Sequence, residues 1–485
     1  MLIFLRAVFL KRSWLVGAAC LAFFAGAGLA HGLLLGDTRW VLLAAPLMVF
    51  ALYRRWAVAI VLVAAVFFGV GWWRGSGTMR QLQPYQQLSR QNVTVVGQAA
   101  ADGVYGTRYQ TTFTLDHMRI LLPAPQPLPG TLSVAGFGAA AVYRGDTVQV
   151  SGKLYPTRGN SQGRISFGEL QVLARNASPI DTFRRRFAAG MQSALPEPAA
   201  SFGLGLLIGQ RSTLPEDISQ TLLVVGLTHI IAVSGYNLTI IVNAARRLLA
   251  NRSKFQMAAL CLTLIALFLV ITGSSPSIVR ASIISVLSLL AWYYGRAIPP
   301  VSLLLTAGAI SVAANPLYIW GNVSWYLSFL AFFGVIVLAP LVTQRLYKGR
   351  EPPLVMQIII ESICAEALTL PYMLAIFGQM SLVGLLANVL VVAFVPLAML
   401  LCLIAGLAGM FIPALAGWLA WPAQLVLTYM LDTANLLSRI PHSFVEGIGF
   451  SAANVAVAYA TVALVILILS RRQRQTTRTN RERVI

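Results

Sequence analysis

Residues 204–249 read LGLLIGQRSTLPEDISQTLLVVGLTHIIAVSGYNLTIIVNAARRLL, and the fold class turns on how this stretch is read. Two apolar arms flank a small polar island, Thr228-His229 and Ser234-Gly235-Tyr236-Asn237. Neither arm is polar enough to form an aqueous loop, so the island sits at membrane depth. A His, a Ser and an Asn are costly there unless they face a protein interior or a water-filled path. The stretch therefore predicts a membrane protein with something hydrophilic passing through it or processed within it.

Composition agrees. Of 485 residues, 58% are hydrophobic and 11% charged, and the mean hydropathy is +0.75, which reads as a polytopic α-helical membrane protein. The formal charge of +21 has two sources to weigh, cytoplasmic loop bias and a polyanionic ligand. Cys20, Cys261, Cys364 and Cys402 all lie in apolar segments, leaving no disulfide framework or thiolate metal site. His31, His117, His229 and His442 are too dispersed for a zinc or di-metal centre. No GxxxxGK[ST] occurs, so no nucleotide-driven step and no cofactor are implied.

Apolar runs at 14–35, 40–52, 56–72, 229–249, 255–272, 278–294, 301–313, 325–343, 354–377, 382–409, 416–437 and 452–469 give about twelve crossings at ~1.5 Å per residue. The N-terminal run lacks a cleavage pattern and reads as a retained first span. Pro396 is expected to break the long 382–409 run. Arg6, Lys11, Arg12, Arg54-Arg55, Arg246-Arg247, Arg296, Arg345 and the tail RRQRQTTRTNRERVI all fall on one side, which the positive-inside rule makes cytoplasmic. Five divisions are expected: N-terminal transmembrane helices at 1–75, an extracytoplasmic domain at 76–180, an amphipathic and re-entrant linker at 181–227, a transmembrane channel domain at 228–470, and a basic cytoplasmic tail at 471–485.

Residues 76–180 change character. Segments such as VTVVGQAA (93–100), RYQTTFTLD (108–116), TLSVAG (131–136), DTVQVSGKL (146–154) and GRISFGELQVLAR (163–175) alternate apolar and polar residues between turn-rich pieces. Such alternation predicts about five short strands in a small all-β barrel, and an OB-fold suits that number. Arg80, Arg90, Arg108, Arg119, Arg144, Lys153, Arg158, Arg164 and Arg175 outnumber Asp102, Asp116, Asp146 and Glu169. Positive charge outside the cytoplasm is not explained by topology. Tyr105, Tyr109, Phe113, Phe137, Tyr143, Tyr155 and Phe167 are candidates for base stacking, although most aromatics in a small barrel fill its core.

Within the spans the ionisable residues are few: His229, Arg280, Glu361, Glu366 and Asp432. Arg280, close after Pro276, either snorkels or faces an anionic cargo. Glu361 and Glu366 are candidate structural ion-pair partners for it. Asn388 is a single amide in LLANVLVVAFVP, where interhelical hydrogen bonding is the ordinary role. A Ser234–His229 protease dyad is disfavoured, because the chain lacks a Gly-x-Ser-x-Gly elbow.

These stretches resemble, in order, the motifs of the ComEC family of competence proteins. The carriers are GLGLLIGQRSTLPEDISQTLLVVGLTHIIAVSGYNLTIIV, SIVRASIISVLSLLAWYYGRAIPP, WYLSFLAFFGVI, LPYMLAIFGQMSLVGLLANVLVVAFVP and, in the insert, RGDTVQVSGKL. Two positions depart from the family pattern: Asn237 stands where His is usual, and Gln210 where Asp is common. The chain also lacks the HxHxDH motif of the nuclease domain that many members carry, so a channel without nuclease is expected.

The resemblance implies an inner-membrane, multi-pass channel passing single-stranded DNA into the cytoplasm during natural transformation. Its DNA path would use Arg211, His229, Ser234, Tyr236, Asn237, Arg280 and Asn388. Arg108, Arg119, Arg144, Lys153, Arg158 and Arg164 would bind DNA on the OB-fold. Membrane lipids, a periplasmic or surface DNA receptor, a cytoplasmic helicase or motor and a separate nuclease would be partners; no catalytic residue or metal is expected. The alternatives are a transporter of a small anionic or amphipathic solute, and an assembly scaffold with a dry interior.

Overall fold

The computed structural model describes residues 12–32, 44–53, 58–106, 110–138, 141–157, 161–176, 178–210, 212–231, 235–248, 251, 253–273, 275–347 and 350–482. It is mainly helical, with a seven-stranded β region and a short pairing of Met380–Ser381 with Phe444–Val445, and divides into two compact units. The first is built from 1–185 and 241–325, the second from 186–240 and 326–485.

In the first unit the helices Arg12–Leu29 and Ala59–Gln87 pack backbone to backbone. A Cβ at Gly26 would lie 2.1 Å from the Phe68 carbonyl oxygen, and one at Gly71 2.2 Å from that of Phe23. Small residues permit this approach where helices have only van der Waals contact to gain. The second helix does not stop at the end of its apolar run. It continues past residue 76 to Gln87, with Pro84 inside its last turn, and inserts a fully buried Tyr85 into the β region. There the Tyr85 hydroxyl donates to the Pro129 carbonyl at 2.8 Å.

The β region consists of β1 (Asn92–Ala99), β2 (Val104–Gly106), β3 (Gln110–Leu122), β4 (Gln126–Leu128), β5 (Leu132–Phe137), β6 (Thr147–Pro156) and β7 (Gly163–Ala174). The five longer strands are those expected from the alternation; β2 and β4 are short additions paired with β3. Antiparallel pairings join β1 to β3, β3 to β5, β6 to β7 and β1 to β6. A parallel pairing of β5 with β7 completes a ring. Inward positions follow the period of two: Val93, Val95, Leu115, Ile120, Leu132, Val134, Val148, Val150, Leu154 and Ile165 form one core with Tyr85. Asp146, fully buried, accepts hydrogen bonds from the Tyr143 and Asn176 amides, each at 3.0 Å, and an ion pair from Arg175 at 2.6 Å. Arg184, on the helix Pro179–Ala194, pairs with Asp102 at 2.9 Å and so ties that helix to the ring.

Among the described residues, seven helices are long and apolar enough to cross a membrane: Ala59–Gln87, Lys254–Thr272, Val323–Tyr347, Leu354–Phe377, Gly384–Phe411, Pro413–Ser438 and Ala452–Ser470. Ser13–Leu29, Ala199–Ile208, Ser277–Tyr293 and Pro300–Ala314 are shorter apolar helices. The run containing Pro396 is broken where expected, by a 3-10 turn at Val392–Phe394, because proline cannot donate the next backbone hydrogen bond. A π-turn at Gly334–Leu338 interrupts Val323–Tyr347. There a Cβ on Gly334 would lie 2.4 Å from the Cys364 carbonyl oxygen, so the two backbones are in contact.

Candidate functional site

The stretch around residue 204 folds as four helices, Ala199–Ile208, Glu216–Val224, Thr228–Ile231 and Gly235–Leu248, the first three within the second unit. All ten residues of Ala199–Ile208 are buried, and Gly209, with φ +74°, ends the helix. A helix end leaves carbonyls without partners. One of these, Leu206, accepts a hydrogen bond at 2.9 Å from Nδ2 of Asn237, which is 2% exposed. Asn237 therefore braces the end of Ala199–Ile208 from the first turn of Gly235–Leu248. The departure from the family's His keeps an N–H donor at this position.

The helix Glu216–Val224 closes with a Schellman turn: Leu227 N–H donates to Leu222 and Gly226 N–H to Leu223. Gly226 takes the left-handed conformation that this turn requires, with φ +74°. Its carbonyl accepts from His229 Nδ1 at 3.0 Å, so the other ring nitrogen, Nε2, is left as the acceptor of the neutral imidazole. A Cβ on Gly226 would lie 3.3 Å from Ser381 Cβ, and one on Gly384 3.3 Å from Glu366 Oε1. The structure thus brings together Gly226, Ser381, Gly384 and Glu366, of which only Glu366 stood out in the sequence. Two glycines separated by about 160 residues in the chain were the available signal.

Arg280 is 6% exposed near the start of Pro276–Tyr293. Asn388 Oδ1 and Ser381 Oγ are buried without a hydrogen-bond partner among the described residues. Glu361 accepts from Gln357 Nε2 at 2.8 Å; among the described residues neither Glu361 nor Glu366 forms an ion pair. Asp432 is exposed. Arg211 and Ser234 lie outside the described residues, as does the side chain of Tyr236.

On the β region, Arg119, Lys153 and Arg164 are exposed and make no ion pair among the described residues. Arg144 instead donates through Nη1 to the Val270 carbonyl at 2.8 Å, in the last turn of Lys254–Thr272, where cations are favoured. Arg108 and Arg158 lie outside the described residues. Burial pushes the Asp116 carboxyl up from its ordinary range, against the opposing charges of His117 and Arg144. Among the aromatics named above, Phe113 is core, Tyr143 carries the Arg175 guanidinium 5.3 Å from its ring centre, and Phe137, Tyr155 and Phe167 face solvent.

A family model described as "Competence protein" matches residues 206–472, more than half of the chain. The chain is 21% identical over 301 residues to the ComE operon protein 3 of Bacillus subtilis (strain 168), an alignment covering 60% of this chain and 36% of that relative. It thus spans little more than a third of the relative's length. No solved structure matches. The motifs in the two helical units and the family model converge, and the chain belongs to the ComEC family of competence proteins.

Proposed function

We propose that this chain conducts single-stranded DNA across the bacterial inner membrane during natural transformation, with the β ring outside the cytoplasm as its DNA-receiving domain. The observation that carries the reading is the coincidence of the family match with the helices holding His229, Asn237, Arg280 and Asn388. Polar and cationic side chains within apolar helices are expensive, and conduction of a polyanion is a use that accounts for them. Scattered amides, hydroxyls and one Arg compensate phosphates without trapping them.

The ring supports the receiving role. Numbering its five long strands in order, it closes as first–second–third–fifth–fourth, with the third and fifth parallel. That order supports reading the ring as an OB-fold, an architecture that takes oligonucleotides on its surface and loops. About twelve crossings with both termini cytoplasmic would place the cation-rich ring on the outer side. Lipids, an external DNA receptor, a cytoplasmic motor and a separate nuclease would complete the system, and this chain performs no chemical step in it.

The test is reconstitution of the full chain in liposomes that contain a trapped single-strand-binding protein. Accumulation of nuclease-protected single strands, and not of duplex, is expected. Saturable uptake of a small anion with no protected DNA would overturn the reading in favour of the solute transporter.

A further inference from the structure

The outer surface of the ring holds a feature that its core does not need. Phe167 is 64% exposed and Phe137 43% exposed, with ring centroids 6.5 Å apart and 33° between their planes. Phe167 sits at φ +57°, a conformation disfavoured for a bulky L residue. It is the extra residue of a bulge in the parallel seam, where Ala135 pairs with Ser166 and Gly136 with Gly168. The bulge depends on two glycines: a Cβ on Gly136 would lie 2.2 Å from the Gly168 carbonyl oxygen. The fold thus accepts a bulge and a strained backbone to hold one solvated phenyl beside another. Apolar burial does not explain it, since both rings remain exposed; bulges and strained residues cluster where a side chain must be aimed at a ligand.

The same face carries charge of one predominant sign. Arg164 is the register partner of both Tyr155 on β6 and Ser133 on β5. Lys153 lies two residues before Tyr155 and so points to the same side. The acid on the face, Glu169, is the partner of Phe137, which directs a polyanion toward the Lys153 and Arg164 end.

We propose that the outer face of β5, β7 and β6 is a single-strand-specific nucleic-acid site, in which Phe137 and Phe167 stack on an unpaired base while Lys153 and Arg164 take the adjoining phosphates. The inference rests on the reading of the cargo as DNA. Cations alone would accept duplex and single strands alike; the phenyl pair requires a base whose π-face is free, which a duplex does not offer.

The experiment uses the detergent-solubilised full chain and fluorescent oligothymidylate, compared with an oligonucleotide of the same length and charge whose sites are abasic. The wild type is expected to bind the intact strand about 5- to 100-fold more tightly than the abasic one, and Phe167→Asn to lose that difference. Asn tolerates the left-handed backbone better than Phe, so an unchanged melting temperature is expected and misfolding does not account for the loss. Phe167→Tyr should restore the difference. Equal affinity of the wild type for both strands, unchanged in Phe167→Asn, would overturn the stacking site and assign the pair to lipid or protein contact, leaving the channel reading intact. Binding of neither strand would remove both.

Discussion

The β ring and the helices around Leu206 treat buried polar atoms in opposite ways. Among the described residues, no buried side-chain nitrogen or oxygen within 92–174 lacks a partner, whereas Ser201, Ser212, Thr213, Ser381 and Asn388 in the second unit each hold one that does. In the ring, Asp146 gathers two amides and a guanidinium around a fully buried carboxylate. An unsatisfied buried polar atom costs about 1–3 kcal/mol, so a chain that retains several in one region gains something other than stability there. On the proposed reading, the ring's polar groups serve its fold and the unpartnered ones in the helices serve a hydrophilic cargo. Variants can break that contrast from either side.

The largest effect is expected at Arg280. Replacing it by Met keeps an unbranched stem close to that of Arg and removes the guanidinium charge from an apolar helix. If the cation serves the cargo, uptake of single strands by liposomes should fall on the order of 100-fold, while the chain elutes as the wild type does on size exclusion. Wild-type uptake by Arg280→Met would remove Arg280 from the path.

In the ring the strongest expected disruption is steric. Gly136→Ala forces a Cβ against the Gly168 carbonyl at the parallel seam, with no flexible side chain to move aside, at a cost of about 3 kcal/mol or more. The ring should open at β5–β7 and protease should cut within 76–180 while the helical fragments stay intact. Asp146→Asn is the gentler version. It replaces an acceptor facing three donors with a group that presents two N–H donors of its own, and should cost about 2–4 kcal/mol. A variant that melts with the wild type would show that the ring does not depend on this node.

How far the sequence reveals this contrast depends on the range of the interactions. The five long strands follow from alternation because inward residues keep a local period of two along most of each strand, as at Val93 and Val95 or Val148 and Val150, with one slip on β3 at His117. The break at Val392–Phe394 follows from Pro396. The β5–β7 closure does not follow, since it joins segments about 30 residues apart through a bulge that only Gly136 and Gly168 permit. Nor is the role of Asn237 legible: its amide is satisfied by Leu206, 31 residues away, so a residue that reads as lining a path is also a brace. Arg144 is similar, a surface cation by sequence whose guanidinium holds a helix end 126 residues on. Tyr85 is hidden because the helix carrying it outlasts its apolar run and becomes part of the β core.

The smallest expected change in stability gives the finest test of the comparison. Asn388 lies in Gly384–Val391 with its Oδ1 buried and unpartnered. An amide retained only for packing or interhelical hydrogen bonding should make the protein less stable when removed. If the amide is retained for a hydrophilic cargo, Asn388→Leu relieves a desolvated oxygen and fills a similar volume, so stability should stay within about 1 kcal/mol of wild type or rise. Uptake should nevertheless decline. Thermal unfolding and liposome uptake, measured on the same preparation, separate these outcomes. A variant less stable and fully active would give Asn388 a structural role and remove it from the proposed path.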